Sequence, residues 1–335
     1  MNDVDVGELK RSRDRRQQEP CQANKGRQAD KPSDIPKHGW WEILLRVKDR
    51  ISRDNISIIA AGAAFYAFMA IPSILVALVT LYGLISDPAQ IEQQVSSLQG
   101  VIPGDVASML TTQLQTLAST SSSTLSVGLI IAVLVALWGA RSGMSTLMTA
   151  LNIAYGEEEK RSFIRFQAGA LLLTAGAIVF LIVAIALIGV LPAVIGFLPL
   201  GEFGKTLASI LRWPILLVLV LIGLAALYRY APCRAEPRWR WVSWGAVAAT
   251  TLWIAGSALF SVYVTQFAGY NKTYGAAGAI VVVQMWLYLT MFAVLLGAEL
   301  NAEIEHQTAR DTTTGRPRPM GERGARMADT VADPG

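Results

Sequence analysis

Six long apolar segments alternate with polar connections along the middle of the chain. A helix needs about 20 apolar residues to cross the roughly 30 Å hydrocarbon core of a bilayer, and each segment meets that length. The pattern predicts an all-α polytopic membrane protein whose membrane domain covers residues 37–306 and has six transmembrane helices. The predicted spans lie near 57–85, 125–145, 168–192, 208–230, 242–266 and 276–300.

The connection between the first two apolar segments, residues 86–124, is long and contains no Lys or Arg. Apolar residues recur in it at helical spacing, and Asp105 follows Pro103-Gly104 as a suitable helix N-cap. We therefore predict an amphipathic helical segment on the external side of the membrane. A lid packed on the bundle and a lipid-contacting or gating element are both compatible with it.

Both ends of the chain are polar. Residues 1–36 and 307–335 are rich in charge, Gly, Pro and Thr, and their composition predicts disordered tails. Just before the first span, "HGWWEILLRVKDRISRDN" combines paired Trp residues with four basic residues. A basic amphipathic helix of this kind is typical of a segment that anchors at an anionic membrane surface.

The distribution of basic residues predicts the orientation. Of the 29 Lys and Arg residues, only Lys205, Arg212 and Lys272 fall on one predicted side of the membrane, and the other 26 fall on the opposite side. The side with more Lys and Arg is normally cytoplasmic, so we predict that both termini are cytoplasmic. These cations lie in tails and short loops, where topology requires them. The net charge of +4 therefore does not lead us to expect a nucleic-acid partner.

Composition offers little support for enzymatic chemistry. Charged residues make up 16% of the chain, whereas a soluble domain has about 25%. The only histidines are His38 and His306, and the two cysteines lie far apart in the chain. Glu157–Glu159 are consecutive, so on a helix their side chains diverge by about 100° each. We predict no catalytic site, no metal and no cofactor.

The last span ends in a polar run, "GAELNAEIEH". Helical spacing places Glu299 and Glu303 on one face and Asn301 on another. About 20 residues of helix counted from Ala277 end near Gly297, so Glu299 lies at the cytoplasmic boundary. There it could pair with a cation such as Arg141 or Arg229. A buried clamp between helices is favoured over a cavity-lining site.

Other polar positions are candidates for structural or functional roles. Gln284 and Tyr288 lie one turn apart at membrane depth, where they could bond neighbouring helices or a substrate. Lys272 is flanked by two tyrosines and could meet an anionic group. The complete set of candidate positions is Glu299, Asn301, Glu303, Arg141, Asn152, Arg229, Lys272, Gln284 and Tyr288.

Four stretches occur in order along the chain: AAGAAFYAFMAIPSIL (60–75), WGARSGMSTLMTALNIAYG (138–156), LYRYAPCRAEPRWRWVSWGAVAATTLW (227–253) and YVTQFAGYNKTYGAAGAIVVVQMWLYLTMFAVLLGAELNAEIE (263–305). Together they resemble the YihY/BrkB family of bacterial inner-membrane proteins. The resemblance implies six helices in the cytoplasmic membrane and no established reaction. Members have been labelled ribonuclease BN, serum-resistance factors or virulence factors.

Two functional hypotheses follow. No span carries a central charge of the kind that ion-coupled carriers use, which argues against a transporter of small polar solutes. An apolar interior with an amphipathic external segment suits a lipid better, so the first hypothesis is envelope integrity through transport or organisation of a lipid or other amphiphile. The second is a non-transporting scaffold for partner membrane proteins. We do not expect ribonuclease activity. The expected partners are anionic lipid headgroups at the cytoplasmic face, with a second copy or other membrane proteins as alternatives.

Overall fold

The computed structural model describes residues 25–85, 122–190, 201–266 and 276–332. These residues form helices and contain no strand, which confirms the all-α prediction. A 3-10 turn, Pro32–Asp34, precedes the first helix, and α4 continues into a π-helical turn, Ala186–Val190. The helices are α1 Lys37–Arg53, α2 Ile56–Ile85, α3 Ser122–Ala154, α4 Phe163–Ile185, α5 Glu202–Tyr230, α6 Trp239–Gln266, α7 Ala276–Gln307 and α8 Arg326–Asp329.

The number of membrane spans is less definite than the helical class. Within the described residues, α4, α5, α6 and α7 are long and apolar enough to cross a membrane. The bent pair of α1 and the first part of α2 makes a fifth if it is taken as one span. Six spans therefore stay a prediction. Most of the predicted external segment, residues 86–121, lies outside the described residues.

The long helices pack in an order that follows the chain. Helix α2 packs against α3 and α7, α4 packs against α3, and α6 lies between α5 and α7. Small side chains at the contact allow close approach in a bilayer. Thus α2 buries Ala60, Ala63 and Ala64, and Gly143 of α3 faces the backbone of Tyr66. Small side chains therefore allow the first span to pack closely against its neighbours.

The backbones of helices α6 and α7 approach each other closely at two glycines. A Cβ at Gly245 would lie 2.1 Å from the carbonyl oxygen of Gly297, and one at Gly297 would lie 2.6 Å from the carbonyl oxygen of Gly245. No side-chain rotation can relieve these contacts because the neighbouring atoms belong to the backbone. The crossing therefore tolerates only glycine.

We expect Gly245→Ala to lower the free energy of unfolding by about 1–3 kcal/mol or more, because α6 and α7 must separate to admit the methyl group. Thermal unfolding of the purified protein in detergent measures the effect. Gly223→Ala on α5 is the matched control, since its Cβ would make ordinary contacts at 3.4 Å with the ring of Phe180. Equal melting temperatures for the two variants would contradict the prediction.

Two helices continue well beyond the C-terminal ends of their predicted spans. Helix α3 runs to Ala154, whereas its span was predicted to end at 145, and α7 runs to Gln307 rather than 300. These extensions meet α1, the connections 155–162 and 231–238, and residues 308–332. We call this assembly the polar end of the bundle. The extensions carry Asn152, Glu303 and Glu305 into it.

The C-terminal tail differs from its prediction. Composition predicts disorder over 307–335, whereas residues 308–332 are folded and form part of the polar end. Buried Arg323 donates hydrogen bonds to four tail carbonyl oxygens, and the Asp329 carboxylate accepts bonds from three tail amides. Gly321 and Gly324 have φ values of 93° and 73°, which only glycine adopts readily. The glycines that suggested disorder therefore serve tight turns.

The N-terminal tail is also partly ordered. Residues 25–36 lie within the described part of the chain and contact the tail at the other end: the Ala309 amide donates to the Arg27 carbonyl oxygen, and the Thr308 hydroxyl donates to Ala29. The Lys25 ammonium pairs with Glu42 of α1 at 2.7 Å. The two chain ends therefore meet at the polar end.

Helix α1 has two contrasting faces. Ile43 and Val47 are buried against the bundle. On the opposite side Trp41 is 64% exposed, and Leu44 and Leu45 are about half exposed, at 50% and 45%. The axis then bends by 64° into α2, with Asn55 in the left-handed conformation at φ 51°.

Candidate functional site

The polar run at the end of α7 is the centre of the polar end. Its side chains are almost fully buried, although residues of this kind are normally exposed unless they are paired. The exposed fractions are Glu299 0%, Asn301 0%, Glu303 2%, Glu305 0% and Gln307 1%. Successive residues point in different directions around the helix. The end of α7 therefore needs polar partners on every side.

Toward α1, Glu299 and Glu303 share two arginines. Arg50 Nε lies 3.1 Å from Glu299 Oε2, and Arg50 Nη1 lies 3.2 Å from Glu303 Oε1. Arg46 forms an ion pair with Glu303 and donates to Gln307 Oε1 at 2.6 Å. Burying a carboxylate is costly unless it is paired, and these arginines supply the pairing.

These contacts correct one prediction and support another. The cation beside Glu299 is Arg50, not Arg141 or Arg229. Arg141 instead donates to Gln167 on α4, and its guanidinium lies 4.1 Å from the centre of the Trp138 ring. Glu299 is wholly enclosed between helices, as expected for a clamp.

Toward α6, Asn301 serves the glycine crossing. Its side-chain oxygen accepts a hydrogen bond from the Gly245 amide at 2.7 Å, and its side-chain nitrogen donates to the Val242 carbonyl oxygen at 3.2 Å. Asn301 does point away from the face of the two glutamates. Its amide therefore bonds two backbone groups of α6 beside the glycine crossing.

Toward the 231–238 connection, Glu305 forms a fully enclosed ion pair. Arg234 Nη2 donates to Glu305 Oε2 at 2.6 Å, and both side chains have zero exposure. The same carboxylate oxygen accepts a hydrogen bond from the Thr312 hydroxyl at 3.0 Å. The Arg234 guanidinium also lies 4.8 Å from the centre of the buried Tyr155 ring, a favourable cation–π geometry. This pair ties α7 to a connection and to the tail.

Asn152 links two connections at the end of α3. Its side-chain oxygen accepts a hydrogen bond from the Cys233 amide at 2.7 Å, and its nitrogen donates to Glu159 at 2.9 Å. Hydrogen bonds from Arg161 hold the pKa of Glu159 at about 2. The Glu159 carboxylate therefore stays ionised at neutral pH. Its contribution to stability is lost only as the pH falls from the ordinary pKa of a glutamate, 4.5, toward 2.

Arg229 organises the 231–238 connection. Its guanidinium donates to the Pro237 carbonyl oxygen at 2.8 Å and to Glu236 at 2.7 Å, and it lies 5.0 Å from the centre of the Trp239 ring. Arg229 is 9% exposed. The arginine that sequence reasoning offered as a partner of Glu299 is therefore committed to its own loop.

The remaining candidates lie apart from this centre. Gln284 is half-buried, and Tyr288 stacks on Phe292 with ring centroids 6.1 Å apart. Lys272 lies outside the described residues. At this depth the polar bonds that join α6 and α7 are made by other residues, from Trp253 to Thr290 at 3.1 Å and from Trp286 to Ser257 at 3.3 Å.

Sequence reasoning missed Arg46, Arg50 and Arg234 as partners of the glutamates. A signal existed for the first two. Arg46 and Arg50 are four residues apart, as are Glu299 and Glu303, so each pair occupies one helix face at matching spacing. Arg234 lies in an irregular connection, and no such periodicity marks it.

Several cavities adjoin the polar end, including the following two. A cavity of about 490 Å³ lies between α1, α3, α7 and the tail, with Glu303 but not Glu299 in its wall. A groove of about 350 Å³ runs between α2 and α3. Within the described residues, no group of three or more His, Cys, Asp or Glu side chains is placed to hold a metal ion.

Comparison with known proteins identifies the family. The family described as "Virulence factor BrkB" matches residues 47–321, which include every helix from α2 to α7 and about half of the folded tail. The chain belongs to this family. The match confirms the resemblance seen in the four sequence stretches. It also supports assignment as a multi-pass membrane protein.

Individual relatives agree. "Putative ribonuclease-like protein YfkH" of Bacillus subtilis is 34% identical over 169 residues, which cover 49% of this chain and 61% of the relative. A UPF0761 membrane protein of Idiomarina loihiensis is 32% identical over 104 residues, covering 31% of this chain and 36% of the relative. One of Vibrio cholerae is 34% identical over 117 residues, covering 34% and 39%. The chain thus matches less than two thirds of each relative's length. No solved structure matches it.

Proposed function

We propose that this BrkB-family membrane protein supports envelope integrity by moving or organising a lipid or other amphiphile, with its polar end at the cytoplasmic face of the inner membrane. The observation that carries the proposal is the exposed side of α1. It presents Trp41, Leu44 and Leu45 between Lys37 and Lys48, all exposed. An apolar strip flanked by cations matches the interface of a membrane that contains anionic lipids.

The charges of the polar end support a role that is not enzymatic. Each of the three glutamates on the last turns of α7 has an arginine within ion-pair distance: Glu299 has Arg50, Glu303 has Arg46, and Glu305 has Arg234. These ion pairs join α7 to α1 and to the 231–238 connection, which is a structural role. Because the relative YfkH is named ribonuclease-like, the purified protein should also be assayed for RNA cleavage.

Reconstitution tests the proposal. We expect vesicles that contain the purified protein and anionic phospholipid to move a fluorescent lipid between leaflets faster than protein-free vesicles. Lys48→Gln should slow this movement about fivefold, because one basic contact near an anionic surface contributes about 1 kcal/mol. Ser52→Gln, at an exposed uncharged position on the same helix, is the control and should leave the rate unchanged.

The other outcomes assign other functions. No movement of any envelope lipid, together with stable co-purification of partner membrane proteins, would replace lipid handling by the scaffold role. Cleavage of RNA by the purified protein, abolished by Glu299→Gln in a variant that remains folded, would establish a nuclease instead.

A further inference from the structure

The cavity at the polar end and the groove between α2 and α3 share a wall. Ile153, in the last turn of α3, lines both. The cavity measures about 490 Å³ and the groove about 350 Å³, and each lies within the roughly 300–1,000 Å³ typical of ligand sites. From Ile59 to Tyr66 the groove follows α2 for about 10 Å toward the apolar part of the bundle. One ligand could therefore occupy both hollows.

The cavity offers unpaired positive charge. Arg46 and Arg50 in its wall are engaged by Glu303 and Asp54. Arg53 and Arg326 also line it, and neither has a carboxylate within ion-pair distance in the described part of the chain. The Arg326 guanidinium donates to the carbonyl oxygen of Gly156 at 3.2 Å, and its backbone amide donates to Glu157 Oε1 at 2.7 Å.

The cavity also contains unused hydrogen-bonding capacity. His306 lines it, and its buried Nδ1 atom lies 3.7 Å from Glu303 Oε2, beyond hydrogen-bond distance, with no hydrogen-bond partner among the described residues. A carboxylate, Asp49, lies in the same wall without an ion pair, but it is exposed. Among the unpaired charged groups that line the cavity, the guanidinium groups of Arg53 and Arg326 outnumber the single carboxylate of Asp49. The cavity therefore favours an anion, and planar guanidinium groups suit the oxygen atoms of a phosphate.

The groove is apolar with a few hydroxyl groups. Tyr66, Thr149 and Ile153 lie along it and are partly exposed. The hydroxyl of Ser145, which also lines it, is buried with no hydrogen-bond partner in the described residues. A Cβ on Gly62 would meet no atom within 4 Å, so the wall is open at that position. Such a surface fits the acyl chain and ester region of a lipid.

We propose that the cavity and groove form one site for an anionic phospholipid, with the headgroup phosphate between Arg53 and Arg326 and the acyl chain along the groove between α2 and α3. The site rests on the proposed function, for which it supplies the substrate class and the point of entry. Arg326 belongs to the folded tail, so the tail supplies half of the phosphate site.

Photolabelling of the full chain tests the site. The protein is placed in phosphatidylcholine nanodiscs that contain a small fraction of phosphatidylglycerol with a diazirine in its acyl chain. We expect label on peptides from 59–66 and 145–153. Arg53→Gln combined with Arg326→Gln should reduce it about tenfold, equivalent to about 1.4 kcal/mol. Arg53→Gln alone, which leaves the tail unchanged, should reduce it severalfold.

Matched variants separate the site from general effects. Gly62→Leu fills the groove and should abolish labelling there, whereas Gly176→Leu, also in open space on α4, should not. Arg240→Gln with Arg316→Gln removes two exposed charges outside the cavity and should leave labelling unchanged. Thermal unfolding of each variant shows whether it is folded.

Three results would overturn the site. One is equal labelling of the Arg53/Arg326 variant and its charge control. Another is equal labelling by a diazirine phosphatidylcholine, which would indicate general lipid contact. The third is displacement by inorganic phosphate with no effect of Gly62→Leu, which would indicate a free-anion site. If the site is labelled but the protein moves no lipid in vesicles, the proposed lipid movement is wrong and the binding site stands. If variants that lose labelling still move lipid, the binding site is wrong and the proposed lipid movement stands.

Discussion

Arg234→Met is expected to lower the free energy of unfolding by about 3–5 kcal/mol, because it leaves the Glu305 carboxylate enclosed without its counter-ion. Neither side chain of this pair is exposed to solvent. Methionine has a similar length and keeps most of the apolar contact with Tyr155. The lost charge therefore dominates the effect, and thermal and denaturant unfolding in detergent measure it.

A second variant isolates the electrostatic cause. Arg234→Met with Glu305→Gln removes both charges and keeps a side-chain acceptor for the Thr312 hydroxyl. It should be clearly more stable than Arg234→Met alone. Lys31→Met, which breaks the exposed pair with Asp34 at 3.7 Å, should cost less than about 1 kcal/mol. If the double variant is no more stable than the single one, the enclosed charge is not what destabilises the protein.

Arg50→Met is expected to produce a loss of similar size, about 3–5 kcal/mol, for a related reason. Arg50 serves Glu299, Glu303 and Asp54 together and donates to the carbonyl oxygen of Ala154 at 3.2 Å. Glu303 retains Arg46, but Glu299 would be enclosed alone. Arg50→Lys should lie between Arg50→Met and the native protein, since one ammonium cannot reach all of these acceptors.

Arg53→Met is the matched control for this helix. Arg53 lies one turn after Arg50, is exposed, and forms no ion pair with the described residues. Its replacement should change the free energy of unfolding by no more than about 0.5 kcal/mol. Equal losses for the two variants would mean that α1 is sensitive to any change of charge and that Glu299 is not clamped by Arg50.

Helix positions were predictable because hydrophobic runs are a local property. Five of the six predicted spans fall within observed helices, and α2 matches its predicted bounds closely. The span predicted at 168–192 follows α4 and the π-helical turn to Val190, and its last two residues lie outside the described residues. The errors lie where α3 and α7 continue into the polar end. There the residues are polar, and a hydropathy pattern predicts the edge of the membrane rather than the end of a helix. Asn152 and Glu303 lie in these continuations.

The site was only partly predictable. Burial of Glu299 and the separate direction of Asn301 followed from helix geometry and from the length of α7. The partner of Glu299 did not, because Arg50 lies about 250 residues earlier in the chain and many cations are close to the predicted cytoplasmic boundary. The prediction of a disordered tail failed because Gly, Pro and charged residues are common both in disordered segments and in tight turns. What distinguishes the two here is that Arg323 donates hydrogen bonds to carbonyl oxygens of the tail.

The sequence by itself determined the class of protein, the approximate positions of its long helices and the family, because these depend on runs of apolar residues and on ordered local motifs. The tertiary structure alone decided which arginine neutralises which glutamate, that the tail is folded, and that a charged cavity adjoins an apolar groove. Those features depend on distances between residues far apart in the chain. Charge and hydropathy patterns contain no information about such distances.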